Sequence, residues 1–231
     1  MYKQLKEKSY YANMRLNGEG LIKFTWGNAS EIDREKGVLA IKPSGVSYES
    51  LKPDDIVIVD IATGKVVEGT LNPSSDLATH LVIAREFPEV KGIVHTHSKW
   101  ATIFSQAGKS VKAYGTTHAD CFYGTIPCTR DMKPEEIETE YEHNTGVVIA
   151  ETFKNLSPLE IPGVLVKNHG PFTWGKDANQ AVDHAVVLEE VCMMAAFTEL
   201  LGSQTQVSSE LLDKHFLRKH GKNAYYGQKK Q

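Results

Sequence analysis

Short apolar segments that each end in a turn of small or polar residues recur along the chain, and they constrain its fold more than any other feature. Each is rich in β-branched or aromatic side chains and is too short for a helix, which is typical of a buried strand. The segments are residues 21–26 before Gly27-Asn28, 38–41 before 42–45, 56–60 before 62–65, 93–94 before His95, and 163–167 before 168–171. We predict a strand at each of them and a hairpin turn at 62–65.

Helical patterns fill most of the sequence between these strands. We predict helices over residues 3–16, 77–87, 99–106, 134–143 and 177–201 and another in the tail from residue 211. The longest, 177–201, repeats apolar residues at helical spacing. The acidic residues of 134–143 are expected to face solvent. Alternation of strands and helices favours, by itself, a parallel sheet joined by helical crossovers.

Length and composition exclude several classes of protein. The 231 residues suffice for one large or two small domains, and because no linker divides them we expect a single domain over 1–231. A balance of 26 basic and 29 acidic residues lacks the basic excess of nucleic-acid or membrane-surface binders. Three cysteines without a Cys-x-x-Cys pair do not suit a disulfide framework. With a charged N-terminal segment and no long apolar stretch, we expect a cytoplasmic protein with no membrane partner.

The tripeptide His95-Thr96-His97 follows an apolar run directly. In a strand, residues two apart point to the same face, and their Cα atoms lie roughly 6.6 Å apart. Two imidazoles at that spacing can share one divalent ion at about 2.0–2.1 Å from each ring nitrogen. A pair of histidines with no ligand is the simpler alternative, so a metal site needs a further ligand from elsewhere in the chain.

His169 supplies that ligand, because it too follows an apolar segment and lies in a turn. The other six of the nine histidines lack this context; they are His80, His118, His143, His184, His215 and His220. Three histidines that leave a coordination position open are typical of catalytic rather than structural metal sites. Asp76, which closes a polar turn before a helix, completes or borders the site or is simply the N-cap of that helix.

Three turns of small residues are candidates for binding a phosphate group. They are Gly27-Asn28, Ser44-Gly45 and Ser74-Ser75, and Lys42 lies beside the second. Backbone N–H groups, hydroxyls and an ammonium group are the donors that a phosphate dianion requires. None of the turns matches a Walker A or dinucleotide-binding motif. Each alone is an ordinary turn, and their occurrence together indicates a phosphate site.

Six motifs, in this order, resemble those of the class II aldolase/epimerase family, whose fold is shared by the adducin head domain. They are Thr25-Trp26-Gly27-Asn28, Lys42-Pro43-Ser44-Gly45, Pro73-Ser74-Ser75-Asp76, His95-Thr96-His97, Gly115-Thr116-Thr117-His118-Ala119-Asp120 and Asn168-His169-Gly170-Pro171. The resemblance covers almost the whole chain and extends to Ala224-Tyr225-Tyr226-Gly227-Gln228 near its end.

The resemblance implies a role for each of these positions. It implies that the metal ligands are His95, His97 and His169, with Asp76 at the acidic position near the ion. It implies that the phosphate-binding residues are Gly27, Asn28, Ser44, Gly45, Ser74 and Ser75, with Lys42 adjacent. It assigns proton transfer to Asp120 and Tyr226. Zinc suits three histidines, and manganese or cobalt would also suit them.

The resemblance further implies a three-layer α/β/α sandwich with a mainly antiparallel central sheet, and we prefer this expectation to the parallel sheet. It implies a homotetramer with sites between subunits, to which the tail at about 221–231 contributes. The implied activity is a metal-dependent epimerisation that interconverts L-ribulose 5-phosphate and D-xylulose 5-phosphate through cleavage and re-formation of the C3–C4 bond. Breakdown of pentoses and breakdown of ascorbate both lead to this substrate.

Three alternatives remain open from the sequence. An aldolase of the same fold would release its two fragments; the related fuculose-phosphate aldolases resemble one another in carrying glutamate where this chain has Asp76. A metal-free binding module like the adducin head domain would not need the histidine triad. A metallohydrolase would need a general base beside a water site, and the motifs contain no obvious one.

Overall fold

In a computed structural model that describes residues 1–203 and 205–228, the chain forms a seven-stranded sheet and eight α-helices. The strands are β1 (Gly27–Asp33), β2 (Val38–Ile41), β3 (Val57–Asp60), β4 (Val66–Glu68), β5 (Gly92–Thr96), β6 (Gly163–Val166) and β7 (Gly170–Gly175). The helices are α1 (Lys3–Gly18), α2 (Leu77–Glu86), α3 (Lys99–Ala107), α4 (Thr116–Ala119), α5 (Pro134–Glu138), α6 (Tyr141–Thr152), α7 (Ala178–Leu200) and α8 (Ser209–His220). Residues 229–231 of the predicted contributing tail lie outside the described part.

The strands lie in the order β4-β3-β2-β1-β5-β7-β6, and all six neighbouring pairs are antiparallel. The antiparallel sheet that the resemblance implied is therefore confirmed, and the parallel sheet favoured by the alternation of elements is wrong. The reason is burial: helices cover both faces of this sheet, so its strands are apolar on both sides, as parallel strands usually are. The apolar runs that predicted β2, β3 and β6 carried no information on strand direction.

Helices on opposite faces of the sheet complete the three layers. Leu39 and Ile41 of β2 belong to the core cluster formed with α2, α3 and α6. Val38 and Ala40, which alternate with them, pack in a separate cluster with Leu5 of α1. The N-terminal half of α7 packs against α1 and the same face. The two-residue period of the strand thus divides its side chains between two cores.

The strand predicted over residues 21–26 is wrong. These residues form a loop, and β1 begins at Gly27, where the predicted strand was to end. Gly27 has φ of +124°, and a Cβ there would lie 2.8 Å from the carbonyl oxygen of His95 on the neighbouring strand β5. The glycine therefore allows β1 and β5 to approach closely rather than breaking a strand.

The other predicted strands and helices agree with the structure in part. The strand at 38–41, the hairpin turn at 62–65 between β3 and β4, and the helix over most of 177–201 are confirmed. The helix predicted at 134–143 is two helices, α5 and the start of α6. Strand β7 was not predicted, since its sequence begins with Gly170-Pro171 and reads as a turn. None of the helices within the described ranges combines the length and apolar composition that crossing a bilayer requires.

Candidate metal centre and adjoining pocket

Three histidines converge where β5 ends and β7 begins. His95 is the penultimate residue of β5, His97 follows that strand, and His169 lies in the turn between β6 and β7. Their candidate ligand atoms all lie within 4.8 Å of one another. The Nε2 atoms of His95 and His97 are 3.1 Å apart. The end of β5 and the tight β6–β7 turn, at which Asn168 has φ of +63°, thus direct three imidazoles to a common point.

Strand β7 fixes the ring of His95. Its Nδ1–H donates a hydrogen bond to the carbonyl oxygen of Pro171 at 3.0 Å, and Phe172 stacks on the ring with centroids 4.3 Å apart. A neutral imidazole that donates from Nδ1 carries its lone pair on Nε2. A backbone acceptor on the far nitrogen is how metal-binding histidines are usually oriented.

The protonation states suit metal binding. Burial, together with the neighbouring His95, lowers the pKa of His97 to about 4 and that of His169 to about 3. Both rings are therefore neutral near pH 7 and can coordinate a cation. Nδ1 of His169 is buried and has no hydrogen-bond partner among the described residues. Two neutral imidazoles, together with the His95 ring that donates from Nδ1, fit a divalent ion such as Zn²⁺.

Asp76 borders this cluster at the start of α2. Its Oδ2 accepts a hydrogen bond from Nδ2 of Asn28 at 2.7 Å. Burial alone raises the pKa of Asp76, but the imidazoles of His95, His80 and His169 and the amide of Asn28 outweigh burial and lower it. Asp76 is thus an ionised carboxylate beside the three rings, and its direct ligation of a metal stays a prediction. Asp76 occupies the N-cap position of α2, but within the described residues its side chain makes no capping hydrogen bond to the first turn of the helix.

A cavity of about 320 Å³ opens beside the histidines. All seven residues predicted to contact phosphate line it; these are Gly27, Asn28, Lys42, Ser44, Gly45, Ser74 and Ser75. Asp76, His97 and His169 line the same cavity. The structure therefore brings the predicted anion-binding turns and two of the three clustered histidines into one pocket.

Hydrogen bonds between the turns hold the pocket open without a ligand. The backbone N–H of Ser44 donates to the carbonyl of Asn72, and that of Ser74 donates to the carbonyl of Lys42, both at 3.0 Å. Nδ2 of Asn28 also reaches Oγ of Ser74 at 3.0 Å. Three separate segments of the chain are thus connected before any substrate binds, which reduces the entropic cost of binding.

Lys42 places a buried cation at this pocket. The residue is 2% exposed, and its Nζ donates to the carbonyl oxygens of Val46 at 2.5 Å and Pro43 at 3.3 Å. The ring of Tyr48 lies 4.9 Å from Nζ. Burial lowers the pKa of Lys42 to about 8, because none of these neighbours carries a negative charge. An anionic ligand would supply the missing counter-charge.

Several pocket residues were not predicted from the sequence. Trp26 lines the cavity with its ring 6.3 Å from that of His97, although only its neighbours were singled out. Tyr141 and Glu142, at the start of α6, also line the cavity. The charges of segment 134–143 were expected to face solvent; Glu142 is partly buried at the cavity, and Tyr141 was given no role. They reach the pocket through the packing of α6 against α2, which no local motif indicates.

The structure places Asp120 and Tyr226 together, but in another part of the chain. Oδ1 of Asp120 accepts hydrogen bonds from Nδ1 of His215 at 2.9 Å and Nη2 of Arg218 at 3.0 Å, and Nζ of Lys219 lies 3.1 Å from Oδ2. The ring of Tyr226 lies over the same two cations, 4.4 Å from Nζ of Lys219. Neither residue is among the described residues that line the metal-site cavity.

The surroundings of Asp120 keep it ionised. Burial raises its pKa, but hydrogen bonds from His215, Lys219 and Arg218 outweigh burial and lower that pKa. The carboxylate therefore carries its charge near pH 7 and can accept a proton. Its role, like that of Tyr226, stays a prediction.

The fold is shared with solved structures of sugar-phosphate aldolases. An L-fuculose 1-phosphate aldolase is 24% identical with a TM-score of 0.77, and the match covers 92% of this chain and 94% of that one. The L-fuculose 1-phosphate aldolase from Glaciozyma antarctica PI12 is 22% identical with a TM-score of 0.76, covering 93% of this chain and 80% of that one. The sequence pattern of the family described as "Class II Aldolase and Adducin N-terminal domain" matches residues 7–196. The chain therefore belongs to the class II aldolase and adducin N-terminal domain family.

Proposed function

We propose that this protein is an L-ribulose-5-phosphate 4-epimerase, which interconverts L-ribulose 5-phosphate and D-xylulose 5-phosphate. The observation that carries the proposal is the shared cavity, in which the seven predicted phosphate-binding residues and two of the three clustered histidines lie together. A ketose phosphate has a phosphate at one end and a hydroxyketone at the other, and the cavity is lined by candidate groups for both.

The chemistry follows from the substrate. The hydrogen on C4 is not α to the C2 carbonyl, so removing it directly would leave an unstabilised carbanion. Cleavage of the C3–C4 bond is easier: the C4 hydroxyl loses its proton, its oxygen becomes an aldehyde, and the bonding electron pair moves into an enediolate of dihydroxyacetone. Rotation of the aldehyde followed by attack from the enediolate on its other face inverts C4.

Residues of the cavity serve the two fragments separately. A divalent ion held by His95, His97 and His169 would supply Lewis acidity towards the oxygens of the ketone half. The turns at Ser44-Gly45 and Ser74-Ser75, together with Lys42, would hold the phosphate of glycolaldehyde phosphate while its aldehyde turns. Retention of this fragment is what separates an epimerase from an aldolase.

Proton transfer to and from the C4 oxygen requires a group on each side of the aldehyde. We assign these roles to Asp120, as an ionised carboxylate, and to Tyr226, whose hydroxyl can donate a proton. Because neither lines the cavity of its own chain among the described residues, we infer that they come from a neighbouring copy in a homotetramer. This arrangement fits the sites between subunits that the family resemblance implies.

The decisive assay incubates the zinc-loaded protein with L-ribulose 5-phosphate. Formation of D-xylulose 5-phosphate without free dihydroxyacetone is expected, and treatment with a chelator is expected to abolish it. Accumulation of dihydroxyacetone would instead identify an aldolase, the activity in the names of the two compared structures. Substitutions Asp120→Asn and Tyr226→Phe are expected to reduce turnover while zinc binding persists; equal loss of zinc would contradict their assigned roles.

A further inference from the structure

His80 has no part in the sequence motifs, yet it lies against the metal centre. Its side chain is 0% exposed. It is one turn after Asp76 in α2, and its backbone N–H donates to the carbonyl oxygen of Asp76 at 3.1 Å. The two side chains therefore lie on the same face of the helix.

The ring of His80 is hydrogen-bonded at one nitrogen and has no partner at the other among the described residues. Nδ1 lies 2.7 Å from Oγ of Ser30 on β1. Nε2 is buried and has no hydrogen-bond partner among the described residues. Burial lowers the pKa of His80 to about 3, so the ring is neutral near pH 7 and carries one proton. Whichever nitrogen holds that proton, a polar atom remains unpaired in the interior, which is costly and is rarely left without a use.

An Nε2–H without a partner lacks a hydrogen-bond acceptor, and the carboxylate of Asp76 is an acceptor of that kind. Its negative charge raises the pKa of His80 against the effect of burial, while His95 lowers it. One helical turn separates the two residues on the same face of α2, so their side chains are neighbours. Asn28 occupies Oδ2 of Asp76, and when the hydroxyl of Ser30 donates to Nδ1, the proton of His80 is on Nε2 and available to that carboxylate.

A second contact connects His80 to the metal ligands. Its ring meets Phe172 edge to face, with centroids 6.1 Å apart. Phe172 stacks on His95 with an angle of 18° between the rings. An aromatic side chain at position 80 that kept this contact but lacked nitrogens would separate the packing role of the ring from its polar role.

We propose that His80 is a positioning residue of the metal centre, whose Nε2–H orients the Asp76 carboxylate towards the ion bound by the three histidines. The inference rests on the metal site of the proposed function and adds a residue to it. His80 touches neither substrate nor metal in this scheme. It acts through Asp76, so its effect must disappear when the carboxylate is absent.

The test is a double-mutant cycle on zinc affinity, measured by competition with a chromophoric chelator. The variants are His80→Phe, Asp76→Asn and the two combined. In the wild-type background, His80→Phe is expected to weaken zinc binding roughly tenfold, the lower end of the effect of supporting residues at metal sites. In the Asp76→Asn background, it is expected to change affinity by less than about twofold.

His184 supplies a matched control. It is also a buried helical histidine, its Nδ1–H donates to the carbonyl oxygen of Trp174 at 2.7 Å, and burial lowers its pKa. His184→Phe is expected to lower thermal stability and leave zinc affinity unchanged. If His80→Phe does not fold, Ser30→Ala removes the hydroxyl that orients the ring and is expected to weaken zinc binding in the same direction.

Three results would overturn the inference: unchanged zinc affinity in His80→Phe or its substitute Ser30→Ala, an equal loss in the Asp76→Asn background, or an equal loss in His184→Phe. Failure of the wild-type protein to bind zinc would instead remove the metal centre itself, and with it the proposed function. The two failures are distinguished by the wild-type titration alone.

Discussion

Lys42 is a lysine enclosed by carbonyl oxygens and an aromatic ring, without a described acidic partner. A buried ammonium group of this kind is poorly solvated, and burial accordingly lowers its pKa to about 8. The protein retains it beside a cavity lined by hydroxyls and backbone amides. At the residue scale, this is the feature that most favours a dianionic ligand.

We expect Lys42→Met to raise KM for the sugar phosphate roughly 10- to 100-fold, because hydrogen bonds to charged groups contribute about 1.5–3 kcal/mol. Zinc affinity should not change. In the wild type, KM should also rise above about pH 8 as Lys42 loses its proton, and the variant should lack this part of the pH dependence. Lys65→Met, at an exposed lysine of the β3–β4 turn, is the control; a similar KM effect there would contradict the assignment.

His118 gives a prediction for stability rather than activity. It is 3% exposed, and its Nε2–H donates to the carbonyl oxygen of Gly124 at 2.6 Å. Burial lowers its pKa to about 4 from the usual 6.5. The folded state therefore prefers the neutral ring, so the stability contribution is complete above pH 6.5 and is lost as the pH falls towards 4.

From this shift we expect His118 to account for about 2 kcal/mol of the stability lost between pH 7 and pH 5. His118→Gln can still donate to Gly124 and does not titrate. Urea unfolding of both proteins at the two pH values measures the difference. The same loss in wild type and variant would show that His118 is not responsible.

At the scale of elements, the close pairing of β1 with β5 determines where the histidines lie. Gly27 is opposite Thr96 and Asn28 is opposite His95, so this strand pair places a predicted phosphate turn beside His95, and His97 directly follows β5. The contact depends on a position without a side chain, because a Cβ at Gly27 would meet backbone atoms of β5. A displacement of β1 would therefore disturb both halves of the pocket.

We expect Gly27→Ala to lower the free energy of unfolding by more than about 2 kcal/mol, from backbone strain at φ of +124° and from the steric clash. Zinc affinity should fall as well, because His95 must move. Gly37→Ala is the matched control: Gly37 also has a positive φ, +65°, but a Cβ there meets nothing within 4 Å. It should cost about 1 kcal/mol with zinc affinity retained. Unfolding curves and chelator competition give both quantities.

At the scale of the whole molecule, the chain separates two sets of residues for which we propose roles in catalysis. The metal cluster and phosphate turns lie at the ends of the central strands, whereas Asp120 and Tyr226 are gathered by the cations of α8. Family members that work between subunits would unite the two sets on assembly. Mixtures of two inactive variants therefore test whether neighbouring subunits share a site.

Two variants, His97→Asn and Asp120→Asn, should each be nearly inactive, and co-refolding them in equal amounts should restore activity. If each site takes its histidines from one copy and Asp120 from the next, about a quarter of the sites in random homotetramers contain both intact sets. Recovery should approach about a quarter of the wild-type rate. No recovery, with mixed oligomers demonstrated, would place all groups within one chain.

The sequence predicted which residues come together better than it predicted the topology, for physical reasons. Residue type singled out the three histidines and the small-residue turns; the structure brings His97, His169 and those turns to one cavity, with His95 in the same histidine cluster. Strand direction depends on pairing between distant segments, which the uniformly apolar strands do not encode. Tyr141 and His80 enter the site through the packing of α2 with α6 and β1, so no local pattern could reveal them.

His169 lies in the β6–β7 turn near one edge of the sheet, whereas His95 lies in the central strand β5 and His97 directly follows it. An ion bound by all three would act as a crosslink between the central strand β5 and the β6–β7 hairpin. Its removal should leave the global core in place and free the hairpin turn first. Backbone amides near His169 should then exchange with deuterium faster in metal-free protein, while those of β2 and β3 keep their protection.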